Sequence, residues 1–189
     1  MLSWGELEEE ITKCRKCDLC LTRTKTVLGR GNIKAGILLV GEGPGAEEDA
    51  RGEAFVGAAG KLLDDLLCAL GFEEEDIYIA NIVKCRPPGN RVPSEAEAQA
   101  CFPYLRNQAY LVKPRIIVCL GVTAAKYVLA EKDLKISAER GKMRQKNGFY
   151  YMPTYHPAAL LRDPSKKADM YSDFKKVKLL YDKIKKGGS

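Results

Sequence analysis

Histidine is nearly absent from this chain of 189 residues, so any histidine chemistry falls to His156 alone. No apolar run approaches the roughly 18 residues that a membrane-spanning helix needs. Met1-Leu2-Ser3-Trp4 leads into Glu-rich sequence, with neither the basic nor the apolar region of a secretory leader. The expectation is therefore a cytoplasmic protein with no membrane partner. No repeat and no low-complexity linker interrupts the chain, which predicts one domain over residues 1–189. A third glycine is missing after Gly41-Glu42-Gly43-Pro44-Gly45, and this excludes a dinucleotide fingerprint, which needs that glycine to open the next helix. The seven cysteines are odd in number, which argues against a disulfide framework, and CxxC spacing occurs only within Cys14–Cys20 with no second such pair further along, which fits a zinc ribbon poorly.

What is present reads as alternating strands and helices. Strands are predicted at 36–41, 77–82, 115–120 and 150–155. Helices are predicted at 3–12, at 59–70 with Gly71 closing it, from Ser94 with a capping box to Glu97, at Thr123–Leu129 and at Tyr171–Lys185. Pro103 is expected to kink or split its helix. Residues 42–57 read as one long Gly-rich loop. The pattern predicts an α/β fold of three layers, α/β/α, around a central, mostly parallel four-stranded sheet. Each strand ends in something chemical: Glu42 with its glycines, Asn81, Gly121 and His156. Ligands of such sheets bind outside the carboxyl ends of the strands, so these groups are expected to face one pocket.

The individual residues leave alternatives open. Cys14 and Cys17 form a chelating pair, and Cys85 and Cys101 a wider one that the intervening loop and helix can close. Four thiolates hold either a tetrahedral zinc or a 4Fe–4S cluster, and the wide second pair favours the cluster. Cys20 competes with Cys14 and Cys17 as a ligand, while Cys68 and Cys119 read as core packing. The acidic stretch Glu42, Glu47, Glu48, Asp49 is a poor phosphate cradle and suits developing positive charge or a polar base edge. Phe55 is either a core plug or a stacking platform. Asn81 is either a strand-end structural residue or a reader of an acceptor-donor base edge such as uracil O4/N3–H. His156 is either structural or a donor to a leaving-group oxyanion.

The net charge of +6 permits a polyanionic partner without demanding one. Much of it sits at Lys175–Lys186, where Phe174, Val177, Tyr181 and Ile184 recur at helical spacing. Those lysines read as a solvated face or as a contribution to DNA attraction.

Taken in order, Gly41-Glu42-Gly43-Pro44-Gly45-x-Glu47-Glu48-Asp49, Phe55-Val56-Gly57, Asn81-Ile82-Val83-Lys84-Cys85-Arg86-Pro87-Pro88 and Tyr155-His156-Pro157-Ala158 resemble the family 4 uracil-DNA glycosylases. These are the iron–sulfur branch of their superfamily, and the resemblance runs from Cys14 to about Pro164. One departure is Glu53-Ala54, where the family often carries Arg-Pro before the phenylalanine. The resemblance implies an enzyme that flips uracil from single- or double-stranded DNA and hydrolyses its N-glycosidic bond; a monomer is the expectation, on which the sequence itself is silent. It implies Cys14, Cys17, Cys85 and Cys101 as ligands of a 4Fe–4S cluster, with Cys20 outside the set. It implies Phe55 stacking on the base, Asn81 reading its edge, Gly43 N–H and His156 holding O2, and Glu48 crowding C5. Glu42 is the first choice for positioning water and Asp49 the second. DNA contacts fall to Lys84, Arg86, Arg91, Lys142 and Arg162, with Leu160, Leu161 and Arg162 on the loop that enters the duplex. The competing reading is a non-catalytic, metal-stabilised nucleic-acid-binding or damage-sensing module.

Overall fold

A computed structural model describes residues 1–187. In chain order the helices are α1 (Trp4–Thr12), α2 (Ala46–Arg51), α3 (Ala58–Ala69), α4 (Glu95–Val112), α5 (Val122–Leu129), α6 (Ile136–Glu139), α7 (Pro157–Arg162) and α8 (Lys167–Gly187). The strands are β1 (Arg30–Gly31), β2 (Ile37–Gly41), β3 (Ile77–Asn81), β4 (Ile116–Leu120), β5 (Arg144–Lys146) and β6 (Phe149–Thr154). They form one sheet in the order β1-β3-β2-β4-β6-β5.

The four predicted strands are the parallel centre of that sheet, and every residue of β2, β3 and β4 is buried. Burial on both faces is why these strands read as unbroken apolar runs. Successive side chains point to opposite faces. Leu38, Val40, Tyr78, Ala80, Ile117 and Cys119 join the core under α1, α4 and α5. Ile37, Leu39, Ile77, Ile79, Ile116 and Val118 join the core under α3 and α8. The layering is α/β/α.

The sheet has six strands rather than the four expected. The two extra ones are short antiparallel edges, with β1 pairing β3 and β5 pairing β6. Neither carries an apolar alternation, and charge on a short edge strand blocks further pairing. The β5–β6 hairpin turns at Asn147-Gly148, both at positive φ, which is the preferred chemistry of a two-residue hairpin loop.

Local signals at helix ends hold. The Ser94–Glu97 capping box opens α4, and a second, Ser3–Glu6, opens α1. Pro103 lies inside α4 without splitting it. The stretch expected as a continuous loop at 42–57 contains α2, whose acidic residues Glu47, Glu48 and Asp49 sit in its first turn, where the helix dipole favours them. The last helix begins at Lys167, four residues earlier than predicted, and buries Phe174, Val177 and Tyr181 against the sheet. Cys68, expected in the core, is exposed: α3 buries Gly60, Leu63 and Leu67, and the next residue turns away by one helical step. No helix among the described residues is long and apolar enough to cross a membrane.

Strands β3 and β4 lie on opposite sides of β2, so the chain leaves β2 at a topological switch point. The crevice outside its carboxyl end is where such sheets bind ligands. Phe174 is fully buried and meets Phe72 edge-on at 6.3 Å between ring centroids. Replacing Phe174 by alanine is expected to cost about 3–5 kcal/mol of unfolding free energy. Urea denaturation checks this, and an unchanged midpoint would refute the packing of α8 as a core element.

Candidate active site

The residues at the strand ends converge. β2 and β3 are in register with Gly41 opposite Asn81. A Cβ on Gly41 would lie 2.3 Å from Asn81 Oδ1 and 2.7 Å from Phe55 Cζ, so only glycine lets carboxamide and phenyl ring close over this backbone. Phe55 is held at φ +54°, a left-handed conformation that costs a non-glycine residue about 1–3 kcal/mol. Its ring stands 5.6 Å from the His156 ring, tilted by 34°. Carboxamide, phenyl and imidazole therefore border one place.

Asn81 is 2% exposed, and its Oδ1 is buried without a hydrogen-bond partner. A buried acceptor left unpaired costs about 1–3 kcal/mol, which the fold carries at the mouth of its own crevice. His156 caps α7, and its Nδ1 accepts the Ala158 N–H at 3.1 Å. That bond places the proton of the neutral ring on Nε2. Protein encloses the imidazole while its edge still meets solvent. Burial first, and then the nearby Arg162 charge, push its pKa down to about 4. At neutral pH the ring is an uncharged Nε2–H donor. Glu42 closes the remaining side, with Oε2 accepting the Thr123 hydroxyl at 2.5 Å.

A second centre lies behind β3. Cys14, Cys17, Cys20, Cys85 and Cys101 line one cavity with Arg23, Lys84 and Tyr104. All are free thiols, and α4 carries Cys101 back to Cys85 as expected. Donors meet the sulfurs. Arg23 Nη1 reaches Cys85 Sγ at 3.1 Å, and the Lys84 N–H reaches Cys101 Sγ at 3.3 Å. The Leu19 amide faces Cys17 and the Tyr104 hydroxyl faces Cys14. Burial pushes the Cys101 thiol up to about 11 and raises Cys85 and Cys17, while Lys84 and Arg23 pull against it. Among the described residues no three His, Cys, Asp or Glu side chains close onto a single ion.

A sequence model of the Uracil DNA glycosylase superfamily matches residues 28–178. A type-4 uracil-DNA glycosylase of Archaeoglobus fulgidus is 46% identical over 184 residues, 94% of this chain and 92% of that protein. One from Sulfurisphaera tokodaii is 44% identical, covering 95% of this chain and 86% of its own. One from Saccharolobus solfataricus is 44% identical, covering 91% and 83%. This chain belongs to the type-4 uracil-DNA glycosylases.

Several residues expected in this glycosylase's site have other work. Lys84 is 1% exposed and cannot touch DNA: its Nζ donates to Asn81 O at 2.7 Å and Gln108 Oε1 at 2.6 Å. Burial lowers its pKa to about 8. Asp49 is buried and accepts the Thr24 and Lys25 amides, tying down the segment after the cysteine loop, so it is no free carboxylate for water. Leu160 is 1% exposed in the core under α3 and α8, whereas Leu161 is 50% exposed and Arg162 is also outside. Helix α7 buries the face carrying Pro157 and Leu160, and the turn of about 100° per residue carries Leu161 off that face. Glu48 accepts the Gly45 and Gly57 amides at 3.1 and 2.8 Å, clamping the two loops that flank the crevice. Arg91 forms a two-pronged pair with Glu97, Lys142 pairs with Glu139, and Arg86 donates to Asn90. Arg23, Gln108 and Thr123 escaped the sequence reading; only Thr123 had a signal, its place just after a strand end.

Asp49→Asn removes acceptor capacity from buried amides and is expected to lower stability by about 1–3 kcal/mol. Thermal denaturation checks the loss, and the chemical step of the folded variant should stay near the parent rate. A stable variant with a collapsed chemical step would return Asp49 to the catalytic group.

Proposed function

We propose that this chain excises uracil from DNA, leaving free uracil and an abasic site, and that one observation carries the reading: the unpartnered, buried Asn81 Oδ1 beside Phe55 and His156. An acceptor kept unpaired among apolar neighbours awaits a donor from outside, and uracil N3–H is such a donor, with O4 meeting the carboxamide N–H. Cytosine offers an acceptor at N3 and a donor at N4, the reverse of this pattern.

Uracil in a duplex must be flipped out, at a cost of a few kcal/mol that is least in mismatched or single-stranded DNA. Phe55, already fixed in its strained backbone, stacks on the base. As the glycosidic bond breaks, negative charge grows on the pyrimidine and positive charge on the sugar. His156 Nε2–H and the Gly43 N–H hold O2 of the departing uracil anion. A neutral imidazole suits this role, because it donates without delivering a proton to the base. Glu42 orients the water that adds to the sugar carbon and stabilises the positive charge there. The water's oxygen forms the new bond, and one of its protons ultimately neutralises the pyrimidine. Glu48, pinned by two amides, supplies a rigid wall at C5. Leu161 and Arg162, both exposed, enter the space left by the base, and Arg86, Arg91 and Lys142 contribute to phosphate attraction that weakens with salt.

Cys14, Cys17, Cys85 and Cys101 would hold a 4Fe–4S cluster. The donor set fits: thiols spread around a cavity rather than converging on one ion, each met by a hydrogen-bond donor. When bound, the cluster would supply a cross-link among the loop after α1, the loop after β3 and α4, along with an electron-accepting capacity. Purified protein is expected to be brown and to contain about four irons and four sulfides per chain. One zinc and no sulfide would overturn this assignment.

The activity is tested with a uracil-containing oligonucleotide followed by alkali, where strand scission only at uracil is the expected result. Binding without scission would support the non-catalytic module instead. His156→Ala should slow single-turnover excision by about 10²–10³-fold while duplex affinity stays close to that of the parent. Asn81→Asp should lower the preference for uracil over cytosine.

The pKa of His156 also makes a stability prediction. Unfolded, the ring titrates near 6.5; folded, near 4. Between those values the unfolded chain binds the extra proton, so the contribution to stability is complete above about 6.5 and fades as pH falls toward about 4. The stability difference between the parent and His156→Gln should widen in favour of the parent as pH rises through that window. A pH-independent difference would count against a neutral buried imidazole.

A further inference from the structure

The turn from β4 into α5 touches both sides of the chemistry described above. A Cβ on Gly121 would approach His156 Cβ to 3.0 Å, and Gly121 adopts φ +91°, so the turn packs closely against the His156 backbone and Cβ. Two residues on, Thr123 is 7% exposed in the first turn of α5, and its hydroxyl donates to Glu42 Oε2 at 2.5 Å. Glu42 follows directly after β2, in a loop of glycines and proline with no helix or strand of its own to hold it. A glutamate in that position has three freely rotating side-chain torsions. Threonine has one, restricted further by its branched Cβ, and here it is anchored in a helix.

We propose that Thr123 is a positioning residue for the glycosidic cleavage step: its hydroxyl locks Glu42 by one oxygen and leaves the other to hold the attacking water. This rests on the role given to Glu42 in the proposed function. The asymmetry is the point of the device. A free carboxylate presents either oxygen and samples several rotamers. One engaged by a short charge-assisted hydrogen bond presents a single oxygen at a fixed height above the crevice floor. Reaction rates fall steeply when a catalytic group drifts by about 1 Å, so a single buried hydroxyl in the first turn of α5 governs the rate without touching DNA. The same turn sets the position of His156 through Gly121, so the groups acting on the two separating charges share one rigid support.

The test is a double-mutant cycle in single-turnover excision of uracil from a duplex, with affinity measured separately on a duplex carrying a non-hydrolysable 2′-fluoro uracil nucleotide. Thr123→Val keeps the shape and removes the hydroxyl; it is expected to slow excision about 10- to 100-fold, the effect of losing one hydrogen bond to a charged group, with affinity unchanged within about 2-fold. Thr123→Ser restores the hydroxyl and should recover the rate to within about 3-fold of the parent. In a Glu42→Ala background, Thr123→Val should add less than about 2-fold, because the partner it positions is gone. Three results overturn the proposal: a valine variant at the parent rate, serine and valine variants equally slow, or losses that multiply fully in the Glu42→Ala background. A Glu42→Ala enzyme at the parent rate is a different failure, since it removes the role of Glu42 itself and this proposal with it. If Thr123→Val loses its thermal transition, Thr123→Ala takes its place in the same cycle and is read by the same outcomes.

Discussion

Two neighbouring parallel strands approach so closely at Gly41 and Asn81 that no side chain fits between them, and the candidate site grows from that contact. Asn81 is pressed against the backbone of β2 with its Oδ1 unpaired, and Phe55 is bent into a left-handed conformation to cover the same point. Both features cost free energy in the fold. In the function proposed above, an extruded base would repay them by donating to the orphaned oxygen and stacking on the constrained ring. On that proposal, binding would select for the partner that supplies both, and affinity and discrimination would share one origin.

Lys84 links this site to the cysteine cavity. Its backbone N–H meets Cys101 and its ammonium crosses to the Asn81 carbonyl and Gln108. Gln108 in turn donates to Leu28 O and the Tyr78 hydroxyl. A buried ammonium is tolerated only with such acceptors around it. The residues following Asn81 are thus fixed from two sides, by the strand that carries them and by the cavity into which Cys85 leads. On the proposed function, a cluster at the cysteines would stiffen Asn81 without approaching the base. Basic residues that a composition argument assigns to phosphate are elsewhere committed as well: Arg140 is held by the buried Asp173, and Lys185 by Asp76. The net positive charge overstates the number of cations free to meet DNA.

Much of this was legible along the chain because apolar strands buried on both faces leave unbroken runs, and in a parallel sheet their ends share one edge. That rule places Glu42, Asn81 and His156 at the same edge of the sheet, where the structure has them. The edge strands were not, since Arg30–Gly31 and Arg144–Lys146 carry no apolar pattern and exist only because a neighbour offers hydrogen bonds. Asp49 and Lys84 were misassigned for a common reason: sequence marks them as charged but says nothing of what surrounds them. Leu160 and Leu161 look equivalent in the chain, and the helical rotation between adjacent residues sends one to the core and the other to solvent.

The sequence by itself determined the alternation of elements, the single histidine at a strand end, the four spaced cysteines and the motif order that marks the family. Only the tertiary structure decided which charges are free, which carboxylate faces the crevice and which hydroxyl holds it. Residue type and local periodicity are properties of the chain, whereas burial, pairing and the surplus or shortage of hydrogen-bond partners depend on segments distant in sequence. Thr123 and Glu42, 81 residues apart, become partners only when β2 and β4 lie side by side.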